Sequence, residues 1–108
     1  MKEFIFNDCS VCLNPNRISR KGDKYDEFEI STAEHEGKWG VGVSYFYHLG
    51  GMSYGVSRQR CAFDSEIAAI LHGVSVLRQH LCRQQAKGSK IYQLLNEVAP
   101  DSLQLSLF

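Results

Sequence analysis

The sequence predicts an α+β domain: an antiparallel meander of three to four strands covered by one long helix, followed by a short helix and an extended C-terminal tail. Three observations predict it. Apolar residues alternate in short segments between residues 26 and 56, the period of two expected of half-buried strands. From residue 67 the spacing changes to that of a helix. The 108 residues are 44% hydrophobic and 11% aromatic, which suffices for one core in one domain of ordinary size.

The elements follow in order. Phe4, Ile5 and Phe6, with Val11 and Leu13, form a short apolar segment that reads as a strand or an arm. Asn14-Pro15-Asn16 signals a turn, and the stretch to Tyr25, with Gly22 and Asp23, reads as a basic loop. Residues 1–25 are therefore set apart from a core domain spanning 26–100, with 101–108 as the tail. In the first clear strand Phe28, Ile30 and Thr32 alternate with Glu27, Glu29 and Ser31. After a turn at His35-Glu36-Gly37-Lys38, the stretch Trp39–Tyr47 carries Trp39, Val41, Val43, Tyr45 and Tyr47 on one face. Gly50-Gly51 is the expected tight turn, since the favoured hairpin turns need positive φ, and Met52, Tyr54 and Val56 return. Asp64 is the expected N-cap of the long helix, and Glu66 suits the positive end of its dipole. Ile67, Ile70, Leu71, Val74, Leu77 and Leu81 form its apolar stripe, and Gly88 ends it. Ser89 can cap a second helix with Ile91, Leu94, Leu95 and Val98 on one face, stopped by Pro100.

Composition narrows the function classes. Twelve acidic and twelve basic side chains cancel, so no global field draws the chain to nucleic acid or an anionic membrane. No run of 18 apolar residues is present, and Met1–Asp8 is too short and too acidic for a signal peptide. The expectation is a cytoplasmic protein without a membrane partner, its four cysteines reduced. Charge is nevertheless uneven. Residues 26–36 hold five acidic groups and no Lys or Arg, whereas residues 58–90 hold six basic groups against Asp64 and Glu66. Arg17, Arg20, Lys21 and Lys24 form one basic patch, and Arg58, Arg60, Arg78, Arg83 and Lys87 a second. Beside Trp39, Tyr45, Tyr47 and Tyr54 they read as candidate nucleic-acid contacts, aromatics for stacking and cations for phosphate. The same aromatics are also the natural filling beneath a covering helix, and the pattern leaves both readings open.

The tail is the most informative segment. Leu103, Leu105, Leu107 and Phe108 lie beyond a helix-stopping proline in a stretch too short for a core element, where chain ends are ordinarily polar. Gln104-Leu105-Ser106-Leu107-Phe108 resembles the short clamp-binding motif of bacterial replication and repair proteins, matching it at all five positions. By average residue usage such a match at a given position is on the order of one in several hundred thousand. The resemblance implies a peptide that docks on the ring-shaped sliding clamp. Leu107 and Phe108 would enter an apolar pocket, each contributing roughly 1.5–3 kcal/mol before ordering costs. Gln104 would hydrogen-bond at the rim, and Leu105 would fill a second depression. The alternative is that Leu103, Leu105 and Leu107, which alternate, pack on the chain's own domain or on a neighbouring copy, making a homo-oligomer.

Three strands followed by a helix also resemble the first half of a ribonuclease H-like fold. The likeness runs from Phe28-Glu29-Ile30-Ser31-Thr32, through Gly37–Val43, to Ser65-Glu66-Ile67-Ala68-Ala69-Ile70. It implies a metal-dependent nuclease in which Glu66 is the helical carboxylate. The first-strand aspartate of that family is missing, the corresponding region reading Thr32-Ala33-Glu34. Metal-assisted hydrolysis needs several converging carboxylates, so no catalytic residue is assigned. Cys9 and Cys12 have the spacing of a zinc half-site, but Cys61 and Cys82 stand alone and His35, His48, His72 and His80 are scattered. Neither a metal nor a cofactor is expected, there being no GxxxxGK[ST], GxSxG or HExxH pattern. The resulting expectation is a non-enzymatic accessory or regulatory protein of bacterial DNA replication or repair, of a kind useful to a mobile element, recruited to the clamp by residues 104–108.

Overall fold

Alternation in the middle of the chain becomes a four-stranded antiparallel sheet in the order β1-β2-β3-β4. The computed structural model describes residues 3–22, 26–47, 50–83 and 89–98. Its strands are β1 (Asn16–Lys21), β2 (Glu27–His35), β3 (Lys38–Tyr47) and β4 (Gly50–Tyr54). A single 3-10 turn (Arg58–Arg60) precedes α1 (Glu66–Arg83) and α2 (Lys90–Val98). The α+β class, the meander and the long and short helices are those expected from the periodicities. The tail, the helix stop at Gly88 and Pro100 lie outside the described residues.

Two features of the sheet depart from the sequence reading. Residues 16–21 are not loop but an edge strand, with Ile18 opposite Ile30 and Arg17 opposite Ser31. Their polarity misleads because only Asn16 and Ile18 are partly covered, while the other four side chains are exposed. The basic segment therefore belongs to the same sheet as the core. The second departure concerns the glycine pair. Gly50 and Gly51 are ladder residues opposite Tyr47 and Phe46, and a Cβ on Gly51 would collide with the Tyr45 carbonyl oxygen. The turn expected at His35–Lys38 is present between β2 and β3, with Glu36 and Gly37 both at positive φ (53° and 79°) between the paired His35 and Lys38.

One face of the sheet is buried by helices. Phe28 and Ile30 of β2 and Val43 and Tyr45 of β3 meet Leu71, Val74, Leu77 and Leu81 of α1 and Ile91 and Leu95 of α2. Each of these large side chains contributes roughly 1.5–3 kcal/mol by leaving water. Ser65, rather than Asp64, caps α1: its hydroxyl accepts the Ala68 N–H at 3.1 Å. Asp64 is turned to Lys38, whose hydrogen bond and charge hold its carboxyl below the usual range. Ser89 caps α2 as expected, accepting the Tyr92 N–H at 3.3 Å.

Part of the opposite face is covered by the connection that follows β4. Residues 55–61, which include the 3-10 turn, cross Gly42 and Gly40 and build a second small core of Val56, Cys12 and Ala33, flanked by Phe4, Phe6 and Cys61. The crossing needs bare backbone beneath it. A Cβ on Gly42 would stand 2.6 Å from the Tyr54 oxygen, and one on Gly40 2.8 Å from the Cys61 sulfur. The N-terminal segment is an arm joined to this core by isolated bridges, Phe6 to Cys12 and Val11 to Ser57. Because the obstruction at Gly42 is backbone, Gly42→Ala is expected to lower stability by about 1–3 kcal/mol, read as a reduced urea midpoint with an unchanged slope.

Candidate functional site

The basic residues singled out from the sequence are dispersed, and several are engaged in holding the fold. Arg78 of α1 donates Nε and Nη2 to Asn96 Oδ1 of α2 at 3.0 and 2.7 Å, tying the two helices together. Arg58 grips the N-terminal arm: its backbone N–H donates to the Ser10 carbonyl at 2.9 Å and its Nε to the Ser10 hydroxyl at 3.0 Å. Ser10 sits at positive φ in a turn organised by Asn7, whose side-chain oxygen accepts from the N–H groups of Cys9 and Val11. Arg17 lies 3.5 Å from Glu29 across the β1–β2 ladder, and Ser19 donates to the same carboxylate at 3.1 Å. Arg20, Lys21, Arg60 and Arg83 are exposed. Lys24, Lys87 and the segment Gln104–Phe108 lie outside the described residues. Among the described residues the β1 edge, with Arg17, Arg20 and Lys21, gathers three exposed basic side chains in one strand, while Arg60 and Arg83 stand apart from it.

The aromatic platform is largely consumed by the core. Tyr45 is 5% exposed beneath α1, its ring 5.8 Å from that of His80, and Tyr47 packs against the same cluster. Trp39 is half-buried and meets Phe4 edge-on at 5.8 Å. Only Tyr54 of this set is well exposed, at 39%. Burial pushes its phenol pKa up, and the nearby Arg60 offsets part of that.

Glu66 is held by neutral donors. Its carboxylate accepts from the Thr32 hydroxyl at 2.7 Å and the Asn16 amide at 2.9 Å, so it joins α1 to β2 and β1. Thr32 stands in the region where the ribonuclease H resemblance would look for the first-strand aspartate. Among the described residues no group of three His, Cys, Asp or Glu side chains could hold a metal ion. Cys12 and Cys61 share the small second core, while Cys9 and Cys82 are exposed, so the CxxC pair points into two different environments.

A polar trough on the open sheet face went unnoticed in the sequence. Two adjoining concavities, ~250 and ~240 Å³, share Glu29 and Ser44 as floor. The first lies between Val11 and Pro15 of the arm and Ser53–Val56, over Ser31; the second lies between Ser19, Lys21 and Glu27. Phe46 stands on the same face, 42% exposed. The signal in the sequence is the other half of the alternation, Glu27, Glu29 and Ser31 against Ser44 and Phe46. No helix among the described residues is long and apolar enough to cross a membrane.

Two outcomes separate structural from exposed side chains. Arg78→Ala is expected to cost about 1–3 kcal/mol through the lost tie to Asn96, whereas Arg83→Ala stays within about 0.5 kcal/mol, both by urea denaturation. Alkylation of the native protein, followed by peptide mass, should modify Cys9 and Cys82 first and Cys12 last. Burial raises the Cys61 pKa above its ordinary value, so Cys61 holds less thiolate at neutral pH and its lag behind Cys9 narrows as pH rises. No family model matches this chain, and neither the curated proteins nor the solved structures contain a match to it.

Proposed function

We propose that this protein is a non-enzymatic accessory or regulatory factor of bacterial DNA replication or repair, recruited to the sliding clamp by Gln104-Leu105-Ser106-Leu107-Phe108. The observation that carries this reading is the five-position match of that segment to the clamp-binding motif. The fold supports it through the length of the connection. Five residues separate the end of α2 at Val98 from Gln104, a leash of at most about 22 Å. So short a connection would hold the domain against the clamp, where it competes with other clamp-bound proteins for space. The exposed Arg17, Arg20 and Lys21 of β1 would then be the side chains offered to DNA threaded through the ring, a contact that weakens with salt through counterion release.

Titration of purified bacterial clamp with the full chain and with a form lacking residues 104–108 tests the reading. The full chain is expected to bind with modest affinity, because an extended peptide loses conformational freedom on docking. Phe108→Ala should weaken binding by roughly tenfold or more, as the loss of one buried aromatic anchor implies. Equal binding by the full and shortened forms, or none by either, would refute it.

A further inference from the structure

A four-stranded sheet in the order β1-β2-β3-β4 has two edges, and they are built differently. An edge strand offers a row of N–H and C=O groups to any extended chain, and proteins guard such edges with charge, proline, bulges or a covering element. The β1 edge is guarded. It presents Arg17, Arg20 and Lys21, and α2 packs against it. A second β1 brought alongside would set like charges together.

Among the described residues the β4 edge has none of these devices. Gly50-Gly51-Met52-Ser53-Tyr54 contains no charged residue and no proline, and pairs with β3 without a bulge. Two exposed large hydrophobic side chains, Phe46 of β3 and Tyr54 of β4, lie at or beside this edge, one on each side of the sheet. Phe46, on the open face, stands opposite Gly51, which has no side chain to cover it; Tyr54 lies at the end of the strand opposite Val43. Met52, opposite Tyr45, is half-buried against the core, so a strand added outside β4 would complete its burial.

We propose that the β4 edge is a self-association surface, at which a second copy of this chain pairs its own β4 antiparallel about a two-fold axis near Met52. An uncharged strand is its own complement under such an axis, because no like charges meet. Two-fold pairing joins the two sheets into one and covers Phe46 and Tyr54 of both copies. It also leaves the basic β1 edges at the two outer ends. The inference is independent of clamp binding, and either can fail without the other.

Sedimentation velocity on the full chain, over a concentration series reaching the high-micromolar range, reads the outcome directly. A mass moving from one chain to two is expected, with hydrogen-exchange protection of residues 50–54 rising in step. Ser53→Lys places an ammonium group on each side of the axis and should raise the dissociation constant about tenfold. Arg20→Ser, on the opposite edge, should leave it unchanged. Circular dichroism confirms that the variants fold, and Tyr54→Lys serves if Ser53→Lys does not. A one-chain mass throughout overturns the proposal. So does a dimer that survives both lysine substitutions, or one that is lost only when residues 101–108 are removed, which would assign association to the tail.

Discussion

The pairing of β2 with β3 is the constraint on which the rest of the chain depends, because these two strands are buried on both faces by different means. On one face Phe28, Ile30, Val43 and Tyr45 need a helix, and the stripe of α1 supplies it. On the other, Ala33, Gly40 and Gly42 present almost no side chain, and the connection 55–61 descends onto them. Both described helices lie on that first face. The chain covers part of the other with its own connection and N-terminal arm, and leaves the rest as a polar trough.

Polar side chains then act as joints between these parts. Glu66 reaches Thr32 and Asn16, fixing the start of α1 over β2 and β1. Arg78 reaches Asn96 and fixes α2 on α1. Arg58 reaches Ser10 and fixes the arm on the connection. Each joint uses a charged group that makes directional hydrogen bonds to neutral partners. Several residues that suggest a functional surface in the sequence are therefore spent on architecture. The two sheet edges differ in what they present, basic on β1 and uncharged on β4.

These two edges suggest a division of labour. A cationic edge suits polyanions and rejects its own kind, while a neutral edge accepts a neutral strand. With the clamp peptide proposed for residues 104–108, these edges would let the domain engage different partners through separate surfaces.

Much of this was legible in the sequence, for identifiable reasons. Period-two and helical spacing located β2, β3, α1 and α2, because burial of one face imposes the pattern whatever the partner. The clamp-binding resemblance of residues 104–108 also rests on consecutive residues alone, and it stands as a proposal. Other features depended on neighbours distant in the chain. Asn16–Lys21 looked like a loop because an edge strand with mostly exposed side chains carries no apolar alternation. Asp64 looked like the cap of α1 until Lys38, 26 residues away, competed for it. Gly50-Gly51 looked like a turn, although the register of β3 places both in the ladder. Whether the tyrosines of β3 stack on a ligand or fill the core was decided by which face α1 covers. The sequence by itself determined the elements and their apolar faces, since these follow from local spacing; the tertiary structure decided caps, edges and the use of each charge, since these depend on which groups meet in space.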